Sequence, residues 1–214
     1  MLSAKARIVV RLIAVALLAA PAAGCFTPMY AEHADGTPGL RDKLLGVELP
    51  PVDKPNASPI WKVQNGALIS PGNGPELIND SKFEDFQLHV EFNCGENSNS
   101  GVYLRGRYEV QVETDSIGEP PSHHMGGVYG FLAPSPEQLR APGKWQTYDI
   151  TLVGRFVTVV QNGQTIINNQ EIPGITGGAL DSHEELPGPI YLQGSEKGHV
   201  AYRSIVIRPA EKSS

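Results

Sequence analysis

Arg105 and Glu109 stand four residues apart in Ser98–Gln111, which reads Ser-Asn-Ser-Gly-Val-Tyr-Leu-Arg-Gly-Arg-Tyr-Glu-Val-Gln. A turn at Gly106 would fold this stretch into two short strands. Alternation then sends Val102, Leu104, Val110 and Val112 to one face. Tyr103, Arg105, Glu109, Gln111 and Glu113 go to the other. A guanidinium can bind a carbonyl or hydroxyl oxygen, and a carboxylate beside it can move a proton. The expected structure is the floor of a site for a polar, hydroxyl-rich ligand. An exposed cross-strand ion pair between Arg105 and Glu109 would give the same pattern and contribute less than about 1 kcal/mol.

Other groups add to this set. His123 and His124 lie in a loop between Asp115 and Tyr129, and histidine is a common proton carrier and metal ligand. Adjacent histidines in extended chain point apart, so one of them at most is expected to face a given site. Gln193 shares a strand face with Tyr191, and Arg203 lies on a late strand; each either reaches the same polar surface or covers a sheet edge. Trp61 and Trp145 begin strands and are expected to pack. No HxH or HExxH spacing, glycine-rich phosphate loop or GxSxG occurs. A metal site formed by carboxylate and histidine from separate strands stays open.

The elements that must position these residues are short strands. Phe86, Leu88, Val90 and Phe92 alternate with Gln87, His89 and Glu91; Tyr148, Ile150 and Leu152 alternate with Thr147, Asp149 and Thr151. Asn162-Gly163 between Val157–Gln161 and Thr165–Asn168 is a strong hairpin signal. Ile190–Gln193 and Val200–Ile207 are further strands. About a dozen short strands without a long amphipathic helix predict an all-β sandwich or barrel. The stretches 116–127, 131–143 and 171–189 are long loops, a length that is more often functional than decorative.

The amino terminus reads as a leader. Lys5, Arg7 and Arg11 precede the apolar run Leu12–Ala20, and small residues follow. This is the anatomy of a signal peptide over residues 1–24. Ala22-Ala23-Gly24-Cys25 resembles a lipobox, which makes Cys25 the expected lipidation site. The expected location is the periplasm or cell surface of a bacterium, with a lipid anchor in the membrane. Residues 25–57 have the composition of a tether, 58–209 form the domain and 210–214 a tail. Cys94 is then a small residue at a strand end; a Cys25–Cys94 disulfide is the alternative if Cys25 is not lipidated. Without the leader, 14 basic residues face 23 acidic ones, a formal charge of −9. No Lys/Arg block remains, which disfavours nucleic acid.

Taken in order, Trp61-Lys-Val-Gln-Asn-Gly-Ala-Leu, Phe83-Glu-Asp-Phe-Gln-Leu-His-Val-Glu-Phe, Asn99-Ser-Gly-Val-Tyr-Leu-Arg, Tyr108-Glu-Val-Gln-Val, Gly127-Val-Tyr-Gly, Gly143-Lys-Trp-Gln, Gln161-Asn-Gly, Leu192-Gln-Gly and Tyr202-Arg-Ser-Ile resemble the 3-keto-disaccharide hydrolase family. The resemblance spans residues 60–209. It implies a concanavalin-like jelly-roll sandwich of two antiparallel sheets and action on glycosides oxidised at C3 of the sugar. By motif it places Arg105, Glu109, Gln111 and Tyr129 in the site, with Asp115 and His124 as looser correspondences. It implies Glu109 or His124 as base, Arg105 as oxyanion partner, with a divalent metal ion as a possible aid, and Tyr129 or His124 as acid. Tyr103, Asp115, Gln193 and Arg203 join Gln111 and Tyr129 as expected substrate contacts. Many family members read Leu-Gln-Asp-His-Gly where this chain has Leu192-Gln-Gly-Ser-Glu-Lys-Gly-His199. The alternative is a non-catalytic, lectin-like carbohydrate-binding module, since the sandwich serves both roles.

Overall fold

Strands with one apolar face must bury it against another layer, and here two sheets meet in this way. The computed structural model describes residues 27–28 and 61–209, apart from 71, 73, 80, 115, 116 and 139. The leader, Cys25, most of the tether and Asp115 therefore lie outside the described residues. Within them run β1 (Thr27–Pro28), β2 (Lys62–Gln64), β3 (Ala67–Ser70), β4 (Leu77–Ile78), β5 (Phe86–Cys94), β6 (Asn99–Leu104), β7 (Tyr108–Glu113), β8 (Trp145–Val153), β9 (Phe156–Gln161), β10 (Gln164–Glu171), β11 (Tyr191–Leu192) and β12 (Val200–Pro209). A single 3-10 turn, Pro121–His123, is the only helical element among the described residues. The all-β reading holds, and so does the two-sheet arrangement.

The larger sheet runs β10-β9-β8-β5-β12-β3-β2, with β1 added along β12; the smaller runs β4-β11-β6-β7. All pairings are antiparallel. In β5, Phe86, Leu88, Val90, Phe92 and Cys94 are buried while Gln87, His89, Glu91 and Asn93 face outward, as alternation predicts. β8 does the same with Gln146, Tyr148, Ile150 and Leu152. Val102, Leu104, Val110 and Val112 of the smaller sheet join this core. Asn162 and Gly163 both have positive φ (50° and 80°), the mirror-image turn that matches strand twist.

Cys94 is a free thiol buried in the core, pushed up to about 12 by that burial. It packs as a small apolar residue; Cys25, its partner in the disulfide alternative, lies outside the described residues. Trp61 is buried against Tyr202 and gives its indole N–H to Pro75 O at 2.6 Å. Trp145 opens β8 on the outer face, where the Arg203 guanidinium lies 3.9 Å from its ring centre and pairs with Glu91. Arg203 therefore covers the outside of the larger sheet, because it alternates with the core residue Tyr202. It does not reach the polar face of the smaller sheet.

His89 shares that outer surface. Its Nδ1 lies 2.7 Å from Asp149 Oδ1 and its Nε2 lies 3.9 Å from Glu91 Oε1. The Asp149 hydrogen bond, against the opposing effect of burial, holds its pKa above the ordinary 6.5. The folded chain thus holds this proton more tightly than the unfolded chain. The stability gained is complete below pH 6.5 and is lost as pH rises through the raised folded value. Asp149→Asn is expected to lower stability at pH 6 by less than about 1 kcal/mol, since the pair is partly exposed. The loss should vanish at pH 9, as chemical denaturation at the two pH values would show.

Candidate functional site

Both faces of β7 are buried. One face meets the larger sheet; the other, which carries Glu109, Gln111 and Glu113, lies under loops. The outer edge of β7 is closed by loop backbone. Gln111 N donates to Gly127 O, Gly126 N to Gln111 O and Tyr129 N to Glu109 O, and Glu109 N donates to Thr176 Oγ1 at 3.0 Å. Two of the long loops foreseen from the sequence thus become walls of one site. Loop placement is where binding chemistry usually resides.

The face itself follows the strand register. Tyr191 of β11 pairs with Tyr103 of β6, which pairs with Glu109 of β7. The two tyrosine rings stack at 3.9 Å. In the next row Gln193 N donates to Gly101 O, and Gly101 pairs with Gln111. Glu109 is only 4% exposed. Its Oε2 lies 2.8 Å from Tyr103 Oη, and that hydroxyl is also 2.6 Å from Gly177 O. The Gln111 amide, oriented to satisfy its neighbours, donates to Ser100 O at 3.1 Å and to Glu109 Oε1 at 3.3 Å. Glu113 Oε1 accepts from Met125 N at 3.1 Å.

Burial pushes the Glu109 carboxyl up to about 8. The Tyr103 hydrogen bond works against this and the charge of Glu196 adds to it. No cation is among the groups acting on it. Tyr129, half-buried at the loop wall, is also raised, first by burial and then by Glu109, Glu119 and Glu196. A carboxyl poised near neutrality beside a phenol that keeps its proton is an acid–base pair.

The fold does not bring Arg105 to this carboxyl. β6 ends at Leu104, and Arg105 has φ of +50° at the turn, so strand alternation stops one residue short of it. Its guanidinium swings to the Tyr108 side, where it donates to Tyr108 Oη at 3.2 Å and Gly154 O at 2.7 Å. Neither the ion pair with Glu109 nor the oxyanion role expected from the sequence is built. His124 is likewise engaged elsewhere, with Nδ1 2.7 Å from Glu137 Oε1 and Nε2 3.1 Å from Glu119 O. It is His123 that turns to the site wall, its ring stacked on Tyr129 at 4.0 Å. The two histidines do point apart.

Tyr103, Gln111 and Gln193 share the face with Glu109, and Tyr129 stands at its margin. Gln193 has a buried Oε1 without a hydrogen-bond partner. Glu196, Asn99 and Thr176 were missed in the sequence. Glu196 arrives on the segment that departs from the Leu-Gln-Asp-His-Gly pattern, and its Oε2 accepts from Asn99 Nδ2 at 3.3 Å. Asn99 sits within the Asn-Ser-Gly motif and could have been found there; nothing local marks Glu196. Among the described residues no group of three or more His, Cys, Asp or Glu side chains is placed to hold a metal ion. The groups around Glu109 are amides, phenols and the Glu196 carboxyl.

The comparisons agree with this architecture. The family model for the 3-keto-alpha-glucoside-1,2-lyase-like domain matches residues 47–208. Three crystal structures from Parabacteroides distasonis, glycosyl hydrolases by assignment, share the sandwich. The first has 30% identity and a TM-score of 0.60, over 70% of this chain and 74% of that one. Another has 22% identity and a TM-score of 0.58, over 71% of this chain and 90% of that one. The third has 16% identity and a TM-score of 0.58, over 71% and 83%. None of the curated proteins matches the chain. The fold is the concanavalin-like jelly-roll sandwich of these relatives. The chain belongs to the 3-keto-alpha-glucoside-1,2-lyase-like domain family.

Two outcomes follow from the crowding around Glu109. A Cβ at Gly101 would overlap Glu109 Oε1 and come within 2.7 Å of its Cγ and 2.8 Å of its Cδ. Gly101→Ala is expected to cost about 1–3 kcal/mol as the carboxyl is displaced, read from denaturant midpoints. The folded chain also holds the Glu109 proton more tightly than the unfolded one, so the stability contributed by Glu109 falls between pH 4.5 and about 8 and is flat above. Glu109→Gln should therefore stabilise the fold increasingly across that window. Its gain in unfolding free energy at pH 9 over pH 5 is bounded by about 1.4 kcal/mol per pKa unit.

Proposed function

We propose that the protein is an exported hydrolase or lyase that cleaves 3-keto-glycosides by C2 proton removal and elimination, followed by water addition. The observation that carries this reading is the Glu109 carboxyl, buried on a polar sheet face and held near neutrality, in a chain of this family. The family and its glycosyl hydrolase-like relatives support a carbohydrate-active role. The 3-keto substrate is the reading that gives one buried carboxyl held near neutrality suitable work.

A ketone at C3 acidifies the hydrogen on C2. The ionised Glu109 takes that proton, and the C–H electrons form the enediolate with its charge on O3. The C1–O bond then breaks, and the departing oxygen needs a proton. Tyr129 is suited to give it, since its surroundings keep it protonated. Gln193 offers its amide to the sugar hydroxyls and to O3, where preorganised donors act on developing charge, while the Gln111 amide stays on Ser100 O and Glu109 Oε1 and positions the base. Water adds across C1 and C2 to return the free 3-keto sugar. Arg105 and His124 take no part, being bound elsewhere.

Direct hydrolysis by a carboxylate pair is less suited. Glu109 and Glu113 lie four residues apart on one strand, about 13 Å by strand rise, beyond the range of paired glycosidase carboxylates. The leader reading adds export and lipid anchoring at Cys25 to the proposal.

Loss of the carbonyl signal of a 3-keto-glucoside is expected with wild type. Glu109→Gln should slow it by about 10² or more. As base, Glu109 predicts kcat/KM rising through pH 8 to a plateau. Sugar binding that survives Glu109→Gln, without turnover by either protein, would instead make the chain a carbohydrate-binding module.

A further inference from the structure

A phenol hydroxyl has one proton to give. Tyr103 Oη lies 2.8 Å from Glu109 Oε2 and 2.6 Å from Gly177 O, both of which are acceptors when Glu109 is ionised. Both contacts are satisfied together only when Glu109 carries a proton. Then Oε2–H donates to Tyr103 Oη, and Oη donates to Gly177 O. When the carboxyl ionises, it claims the phenolic proton, because charge-assisted hydrogen bonds are the stronger ones. Gly177 O is left facing a hydroxyl lone pair at close range.

Gly177 belongs to a strap over the site, residues 174–181. Thr176 N and Leu180 N donate to Arg107 O and Gly106 O, Ala179 N donates to Thr176 O, and Tyr191 Oη donates to Gly178 O. Gly178 lies so close that a Cβ there would come 2.5 Å from Tyr103 Oη. The strap's ends are thus fastened to the β6–β7 turn by backbone and by Arg107 on Asp181, while its middle, Gly177 and Gly178, is held by the two stacked tyrosines, one of which answers to the protonation of Glu109.

We propose that Glu109, Tyr103 and the Gly177 carbonyl form a proton-linked latch, which holds the middle of the strap down while Glu109 is protonated and loosens it when Glu109 ionises. The titratable groups acting with Glu109 are Tyr103 on β6, Tyr191 beside it on β11, Tyr202 on β12, Tyr129 on the loop wall and Glu196 on the 193–199 segment. All four tyrosines are held above the ordinary phenol value of 10, and Glu196 only raises the Glu109 value further. The carboxyl is therefore the group that titrates first as pH rises past neutrality. For the function proposed above, the ionised base is the form with the strap loosened at Gly177, and proton uptake from C2 refastens it. The latch rests on geometry and its test uses no substrate, so its failure and that of the lyase reading are separable.

The test is amide hydrogen exchange of the full chain between pH 6 and 10, corrected for intrinsic exchange and referenced to Ile150 in β8. In wild type, protection of the Thr176, Ala179 and Leu180 amides should fall about tenfold, the scale of one lost hydrogen bond, with a midpoint near 8. Glu109→Gln keeps a permanent donor toward Tyr103 Oη and should show flat protection. Tyr103→Phe removes the donor to Gly177 O and should show low protection at every pH. Flat protection in wild type would overturn the latch, as would a midpoint that persists in Glu109→Gln. If Tyr103→Phe does not fold, the comparison of wild type with Glu109→Gln still decides.

Discussion

A carboxyl group buried on a sheet with both faces covered cannot be solvated as a charge. Glu109 is in that position, and the small sheet is built around the demand. Tyr103 and Gln111 supply hydrogen bonds from the neighbouring strand and the same strand. Gly101 leaves the space the carboxyl occupies. The loop backbone closes the edge of β7, so that its peptide groups are satisfied without water. What is absent is a counter-charge, and this is why the proton stays on to about 8. A guanidinium at Glu109 would have held it ionised and fixed the group as a plain surface or structural carboxylate.

The arginines of the hairpin serve a different purpose. Arg107 donates to Asp181 Oδ1 and Leu186 O, and Arg105 to Gly154 O. They tie the 171–189 loop and the β8–β9 turn to the end of the small sheet. The positive charge next to Glu109 in sequence thus holds down the cover over the site without entering it. Both guanidiniums are nearly buried, so removing either would leave its oxygen partners unmatched. The larger sheet gives this arrangement a rigid base, with Tyr148 of β8 donating its hydroxyl through the core to Gln111 O.

Much of this was legible. The alternation in β5 and β8, the Asn162-Gly163 turn and the two-faced β6–β7 pair follow from side-chain period alone. Glu109, Gln111 and Tyr103 fell on one face for the same reason. Arg105 was misplaced because the period was counted one residue into a turn, where a positive φ breaks it. Arg203 was misplaced because alternation says which side of its own sheet a residue takes, not which layer that side meets. His123 and His124 were known to diverge, but which of them meets Tyr129 depends on how the 3-10 turn Pro121–His123 seats the loop.

By itself the sequence determined the strands, their faces and the family, because these depend on local period and on ordered motifs. Tertiary structure decided the chemistry of the site. Glu196, Thr176 and Gly177 come to Glu109 from segments 67 to 87 positions away, along loops that carry no period. Whether a carboxyl is a solvated charge or a held proton depends on what covers it. That cover is assembled only when the loops fold back over the small sheet.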